Sequence, residues 1–386
     1  MTEFDSIRPY NDDEVRGAID SLLHDRQFSH ILKSMVPLPI GISRGILRLS
    51  TIGIHSTLGF QLRFMKPVVK HILRRCSTGY SFTHDGIAPG PERYTFLSNH
   101  RDIVLDSAIL DVMLNKDKFP TTCEIAIGDN LLIYPWIRTL VRLNKAFIVQ
   151  RSLPMREMLR ASQVMSRYMH FAIQEKHENI WIAQREGRAK DSSDQTQVSL
   201  LKMLAITGEG GTAGAVASIK ELNIVPLAIS YEYDPCDYLK AQEFQQKRDD
   251  PTWKKSKQDD LTNMKTGIFG QKGHVHYETG RPVNTWIDTL ADLPEKDFFQ
   301  MLAQRIDAEI HRSYRLYPGN YAAADLLQGN QAHADRYTAA ERSAFEQYLD
   351  SRIALVDLPQ PDKAFLRERL LTMYANPVIN QERTNS

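Results

Sequence analysis

The sequence has few cysteines and no long uninterrupted apolar segment. Its three cysteines, Cys76, Cys123 and Cys236, stand far apart and form no CxxC pair. This spacing fits a reducing compartment and argues against a disulfide framework or a zinc cluster. No stretch reaches the ~18 apolar residues that a membrane-spanning helix needs. The acidic N-terminus, residues 1–5, lacks the basic and apolar regions of a secretory signal. We therefore expect a cytoplasmic protein.

Acidic residues are missing from one long segment, which carries a strong positive charge. Between Arg26 and His84 there are nine Lys and Arg residues and neither Asp nor Glu. The whole chain has a net charge of +1, so the remainder carries −8, the difference between +1 and +9. Segregation on this scale predicts a surface for an anionic partner.

Short apolar runs alternate with amphipathic segments from Tyr94 to Ile229. Parallel strands need crossover connections, usually helices, so the alternation predicts a largely parallel sheet. The predicted strands are Tyr94–Leu97, Cys123–Ile127, Ala146–Gln150, Ile180–Gln184 and Ile224–Ser230, with a late strand at His274–Thr279. The predicted helices cover residues 12–25, 103–115, 130–142, 154–177, 198–207, 212–222 and 294–316. We expect an α/β fold with a mostly parallel central sheet flanked by helices.

Three regions follow from these patterns. Residues 1–84 form a basic helical N-terminal region, in which Met35–Gly41 is an apolar segment broken by prolines and Ile42–Cys76 has helical periodicity. Residues 85–290 form the α/β domain, with a polar excursion over 237–265 that we expect to be an exposed helix or a mobile loop. Residues 291–386 form a helical C-terminal extension.

The most informative motif follows the first predicted strand. His100 lies just after that strand, and Asp106 stands six positions further on, at the start of a predicted helix. An isolated pair of this kind is more often a loop histidine beside a helix N-cap. However, the carboxyl ends of strands in α/β sheets are where ligands bind. A histidine steered by a carboxylate can remove a proton from an alcohol near neutral pH. Asp102 is a competing partner for His100.

Further polar residues follow other predicted strands. Asn99 and Arg101 flank His100, and Arg151 ends the strand at 146–150. The loop after the strand at 180–184 holds a carboxylate, a glycine and basic residues, among them Glu186, Gly187, Arg188 and Lys190. Each alone is common at a solvated strand end. Their recurrence at one predicted sheet edge favours a site for a phosphate, which arginine can bind through two hydrogen bonds.

In this order the motifs resemble those of the phospholipid/glycerol acyltransferases, the group that includes glycerol-3-phosphate and lysophosphatidic acid acyltransferases. The resemblance spans residues 94–283. It rests on Asn99-His100 through Asp106, on Lys145–Arg151, on Glu186-Gly187-Arg188, on Val225-Pro226-Leu227 through Glu232, and on Gly280-Arg281-Pro282-Val283. The chain departs from the family pattern because five residues, not four, separate His100 from Asp106. It also lacks the usual threonine after Gly187, and Gln184 replaces the usual Phe or Pro.

The resemblance implies an acyltransferase that moves a fatty acyl group from an acyl thioester to an acceptor hydroxyl. The donor would be acyl-CoA or acyl-carrier protein. The acceptor would be glycerol 3-phosphate, a lysophospholipid or a related lipid. His100 would be the general base, oriented by Asp106, with backbone N–H groups near Asn99 or Gly187 as oxyanion donors. Asn99, Arg101, Arg151, Glu186, Gly187, Arg188 and Lys190 would bind substrate, with no metal and no cofactor beyond the thioester.

The basic segment 26–84 then has two possible uses. An interfacial helix pair could place its apolar stripe on the inner face of the cytoplasmic membrane, with Lys and Arg near anionic lipid headgroups. Alternatively, these helices pack on the sheet, which leaves the absence of acids unexplained. Aromatic residues are sparse there, so we expect no nucleic-acid partner. A membrane-associated lipid-binding protein with a decayed acyltransferase site remains the alternative function.

Overall fold

The computed structural model describes residues 2–29, 45, 47–151 and 153–385, and over these residues the chain forms a seven-stranded sheet. The strands are β1 Gly79–Thr83, β2 Thr95–Ser98, β3 Cys123–Gly128, β4 Ala146–Val149, β5 Asn179–Ala183, β6 Ile224–Tyr231 and β7 His274–Thr279. Their order in the sheet is β1-β7-β6-β2-β5-β3-β4, and β6–β7 is the antiparallel pair. The predicted α/β fold with a mostly parallel central sheet is confirmed.

Helices flank this sheet and extend beyond it. They are α1 Asp12–His24, α2 Thr57–Phe60, α3 Lys66–Cys76, α4 Leu105–Lys116, α5 Pro135–Leu143, α6 Met155–Gln174, α7 Val198–Leu204, α8 Gly211–Glu221, α9 Asp237–Asp249, α10 Lys257–Phe269, α11 Glu295–Arg312, α12 Pro318–Gln328, α13 Ala339–Ile353 and α14 Lys363–Asn385. A π-helical turn, Gln61–Met65, joins α2 to α3. The predicted segment Met35–Gly41 and the beginning of the predicted helix Ile42–Cys76 lie outside the described residues.

Each predicted strand is present, with ends that differ from the prediction by at most one residue. The first strand, β1, was missed. Its five residues are all only partly buried, and it pairs with β7, almost two hundred residues away. A short edge strand of this kind gives a weak apolar signal. The sheet therefore begins at residue 79, ahead of the predicted boundary at residue 85.

The sheet separates two apolar clusters. Successive strand residues point to opposite faces, so Leu97 and Ile182 join one cluster with α6, α8 and α11, whereas Phe96 and Trp181 join the other with α3 and α4. Burial of each large apolar side chain contributes roughly 1.5–3 kcal/mol. Because both faces are covered, the strand-connecting loops at the edges are where polar groups can meet a ligand.

The prediction of an exposed helix or a mobile loop at residues 237–265 is correct in that the segment is largely helical and residues 247–258 are mostly exposed, and it is wrong for residues 237–246, none of which is exposed. Helices α9 and α10 occupy this insertion between β6 and β7, and α9 packs against the C-terminal helix α14. Its charged residues are paired inside the protein, since Lys240 Nζ lies 2.5 Å from Asp234 Oδ2 and Arg352 Nε lies 2.6 Å from Asp237 Oδ1. The charged residues at the start of the insertion therefore form internal ion pairs, whereas Lys247, Arg248 and Asp249 are exposed to solvent.

Asp307 on α11 connects that helix to the loop that follows β5, and its protonation makes the stability of the protein depend on pH. Its Oδ1 accepts hydrogen bonds from Thr196 N and Oγ1, at 2.8 and 2.5 Å. Burial raises the pKa of Asp307 to about 7. This exceeds the value of ~3.9 in an unfolded chain, so the folded state binds the proton more tightly. The contribution of protonated Asp307 to the free energy of unfolding is therefore complete below about pH 4 and is lost as the pH rises towards 7.

We predict that Asp307→Asn, whose amide oxygen can still accept from Thr196, removes this pH dependence. Relative to the parent protein, the free energy of unfolding of the variant should increase between about pH 5 and pH 8, by on the order of 1–3 kcal/mol. Urea unfolding of both proteins at the two pH values measures the difference. An equal offset at both pH values would contradict the prediction.

Candidate active site

The carboxyl ends of β2, β4, β5 and β6 lie at one edge of the sheet, and His100 lies there in the loop after β2. Its Nδ1 is 2.8 Å from Asp106 Oδ2 in the first turn of α4. The Asp106 carboxylate is fully buried. Its Oδ2 also accepts from the backbone N–H groups of Arg101 and Asp102, at 2.7 and 3.0 Å, and its Oδ1 accepts from the Tyr231 hydroxyl at 3.1 Å. Four donors thus fix the carboxylate.

The five-residue spacing between His100 and Asp106 is absorbed by the loop 101–104, before α4 begins. Asp102 caps the helix, because its Oδ1 accepts from Val104 N and Leu105 N, both at 2.8 Å. Burial raises the pKa of Asp102, and the charge of Asp106 raises it further. Of the two candidate partners, the structure places Asp106 against His100. The two N–H groups that follow His100 are committed to Asp106, so they are not available to an oxyanion.

The His100 ring is held in one orientation with one nitrogen free. It meets the Trp181 ring edge to face, with 5.6 Å between centroids, and its side chain is 13% exposed. Within the described part of the chain, no group hydrogen-bonds Nε2. If Nδ1 donates its proton to Asp106, as the hydrogen bond implies, Nε2 is the unprotonated nitrogen and can accept one.

Two residues predicted to bind substrate lie in the wall behind the site. The Asn99 amide is fully buried and bonds both backbone groups of Ile229, accepting from N at 2.7 Å and donating to O at 3.0 Å. The buried Arg101 guanidinium pairs with Asp194, with Nη2 2.6 Å from Oδ2. These contacts tie the His100 loop to β6 and to the loop after β5, so both side chains are held by partners within the protein.

Arg151, Glu186 and Gly187 come together at the solvent side of the same edge. Arg151 Nη1 lies 3.3 Å from Glu186 Oε1, and both side chains are partly exposed. Gly187 follows with a φ of +67°, in the left-handed region that favours glycine. Among the described residues, the Arg151 guanidinium thus has one ion pair, and that pair is accessible to solvent.

Arg188 and Lys190 are bound by the insertion, which sequence reasoning did not place at the site. Arg188 Nη2 donates to Asn263 Oδ1 on α10 at 2.8 Å, and Lys190 pairs with Glu243 on α9. Helix α10 also packs closely on the His100 loop, because a Cβ added at Gly267 would collide with the Asp102 carboxylate. Nothing local in the sequence signals these contacts, since Asn263 and Glu243 stand more than fifty residues from their partners.

Two kinds of feature are absent from the described part of the chain. No group of three or more His, Cys, Asp and Glu side chains there is arranged to hold a metal ion. No helix in the same residues combines the length and apolarity needed to cross a bilayer.

One family model matches the part of the chain that holds most of these motifs. Residues 83–230 match the family model described as Acyltransferase. Among solved structures, the crystal structure of the 1-acyl-sn-glycerophosphate (LPA) acyltransferase PlsC from Thermotoga maritima is similar, with a TM-score of 0.37 and 10% sequence identity, over 75% of this chain and 95% of that one. No curated protein sequence matches the chain. The family match spans His100, Asp106, Arg151 and the loop after β5, so the chain carries an acyltransferase-family domain over residues 83–230.

Proposed function

We propose that the protein transfers a fatty acyl group from an acyl thioester to the hydroxyl of a phosphate-bearing glycerolipid acceptor, such as glycerol 3-phosphate or a lysophospholipid. The observation that carries this proposal is the His100–Asp106 pair at the carboxyl edge of an acyltransferase-family domain. Its free Nε2 is the group that such a reaction requires.

In this reaction His100 Nε2 accepts the proton of the acceptor hydroxyl as its oxygen attacks the thioester carbonyl. Asp106 holds the Nδ1–H and stabilises the imidazolium that forms. The tetrahedral intermediate then collapses, the C–S bond breaks, and the leaving thiolate takes the proton from Nε2. The acceptor oxygen is itself the nucleophile, so no acyl-enzyme is formed. The thioester, on coenzyme A or acyl-carrier protein, is a co-substrate rather than a cofactor.

Arg151 is the best candidate for the contact with the acceptor phosphate. Lys190 is paired with Glu243, and Arg188 donates through Nη2 to Asn263 while its Nη1 is buried without a hydrogen-bond partner in the part of the chain that the structure describes. Among the described residues the Arg151 guanidinium has one ion pair, at 3.3 Å, and its side chain is one third exposed, so it is the more accessible cation. Exposed pairs of this kind contribute only about 0–1 kcal/mol, so a phosphate that forms two hydrogen bonds can displace Glu186. Gly187 would allow the ligand to approach the backbone closely.

We further propose that the protein works on the cytoplasmic face of an anionic membrane. Leu49 and Ile52, in the acid-free segment, have exposed fractions of 70% and 55%. The exposed side chains of Arg48 and Arg63 lie in the same segment. Apolar side chains that enter the interface, with cations near lipid phosphates, are the elements of peripheral binding.

We predict that His100→Ala reduces acyl transfer by roughly 10³–10⁴-fold and that Asp106→Asn reduces it by roughly 10²–10⁴-fold, because both remove the oriented base. The measurement is mass spectrometry of the lipid formed from an acyl thioester and a panel of hydroxyl acceptors. His84→Ala is a matched control, because His84 also faces an aspartate, Asp117, at 3.4 Å, but in a pair that belongs to the opposite edge of the sheet.

The same measurement distinguishes an active acyltransferase from the alternative, a lipid-binding protein with a decayed acyltransferase site. A lipid-binding protein with a decayed site should show no transfer for the parent protein and should bind vesicles equally well as His100→Ala. If His100→Ala kept the activity of the parent protein, His100 would not be the general base.

We predict that Arg151→Ala raises the KM for a phosphorylated acceptor about 10–100-fold, the effect of losing a charge-assisted contact, and leaves the KM for the thioester unchanged. Arg156→Ala is the control, since Arg156 is a highly exposed arginine in the following helix. Steady-state kinetics with phosphorylated and unphosphorylated acceptors test this. An equal loss for both acceptors would show that Arg151 does not recognise phosphate.

We predict that Leu49→Asp with Ile52→Asp weakens binding to anionic phosphatidylglycerol vesicles at least about 10-fold, because two apolar contacts are replaced by charges that lipid phosphates repel. Co-sedimentation at low salt measures the binding. Leu355→Asp is the control, since Leu355 is similarly exposed but lies among the C-terminal helices. Unchanged binding of the double variant would place the membrane contact elsewhere.

A further inference from the structure

Tyr231, the last residue of β6, contacts the buried side of the candidate catalytic pair. Its hydroxyl donates to Asp106 Oδ1 at 3.1 Å, and its side chain is almost completely buried. The opposite oxygen, Oδ2, faces His100 Nδ1 and two backbone N–H groups. Within the described residues, the Tyr231 hydroxyl is therefore the sole hydrogen-bond donor to Oδ1.

This contact decides how the carboxylate is turned. A buried carboxylate oxygen without a donor is energetically costly. If the Tyr231 hydroxyl were removed, the carboxylate could rotate about its χ2 angle so that its oxygens share the remaining donors. Because the hydrogen bond to His100 Nδ1 depends on the position of Oδ2, such a rotation would release the imidazole from its fixed orientation.

We infer that Tyr231 is a positioning residue for acyl transfer, which holds the Asp106 carboxylate so that Oδ2 orients His100. The inference rests on the proposed function. It assigns Tyr231 no contact with substrate, so its removal affects the chemical step and not substrate binding. It also gives a role to the end of β6. This strand pairs in parallel with β2, and its last side chain, Tyr231, reaches Asp106.

The structure supplies a matched control in the same apolar cluster. Tyr277 on β7 is also buried, and its hydroxyl also donates to Asp106, but to the backbone oxygen, at 2.9 Å. Replacing either tyrosine by phenylalanine removes one buried hydroxyl next to Asp106. Only Tyr231→Phe removes a donor from the carboxylate itself, whereas Tyr277→Phe removes a hydroxyl that contacts both the Asp106 backbone oxygen and the Tyr231 side chain.

The test measures kcat and KM for Tyr231→Phe and Tyr277→Phe, with thermal unfolding of both variants. We expect Tyr231→Phe to lower kcat about 5–20-fold with both KM values within about twofold, and Tyr277→Phe to keep at least half of the parent kcat. The expected loss is smaller than for a charge-assisted contact to substrate, because His100 and two backbone N–H groups still hold the carboxylate through Oδ2. Equal kcat losses in the two variants, or a Tyr231→Phe effect on KM alone, would overturn the inference.

A double-mutant cycle shows whether Tyr231 acts through Asp106. In an Asp106→Asn background, Tyr231→Phe should have less than a twofold further effect, because the carboxylate that it orients is gone. A full additional loss would indicate a general structural role and would contradict the inference. Failure of the proposed function is distinguishable, because the parent protein would then transfer no acyl group, or His100→Ala would transfer it as fast as the parent. An inactive His100→Ala with a fully active Tyr231→Phe would reject only the role of Tyr231.

Discussion

The hydrogen bond between His100 and the buried Asp106 carboxylate constrains the rest of the site. A carboxylate without solvent needs donors for both oxygens. The protein supplies them from the His100 loop, whose N–H groups reach Oδ2, and from the end of β6, whose tyrosine reaches Oδ1. The loop conformation, the start of α4 and the position of β6 must therefore fit one another. Asn99 and Arg101 serve the same end by anchoring the loop to Ile229 and Asp194.

The sheet brings these groups together because its central strands are parallel. Their carboxyl ends share one edge, so residues that follow β2, β4, β5 and β6 become neighbours although they are far apart in sequence. One consequence is a division of the basic residues. Arg151 stays partly exposed beside Glu186, whereas Arg188 and Lys190 are drawn under the insertion by Asn263 and Glu243. Cations of similar appearance in the sequence thus have different availability for a ligand.

The insertion and the C-terminal helices form a second layer around the site. Asp237 on α9 accepts hydrogen bonds from Tyr348 and Tyr374 on the C-terminal helices, at 2.6 and 2.9 Å, while Gly267 on α10 packs on Asp102. The site wall is therefore supported from residues that lie outside the family match at 83–230. The buried polar side chains there connect helices through hydrogen bonds, whereas residues 247–252 of the same insertion are exposed.

Apolar periodicity in the sequence determined most of the sheet, because strands buried on both faces must be continuous apolar runs. The order of motifs likewise identified the candidate base and two aspartates that could orient it. The tertiary structure alone decided that Asp106 and not Asp102 meets His100, that Asn99 and Arg101 turn inward, and that Asn263, Glu243 and Tyr231 belong to the site. Each of these outcomes depends on which buried group finds a hydrogen-bond partner across the fold. The partners are between roughly fifty and one hundred and thirty residues away for most of them, and spacing along the chain carries no information about such contacts.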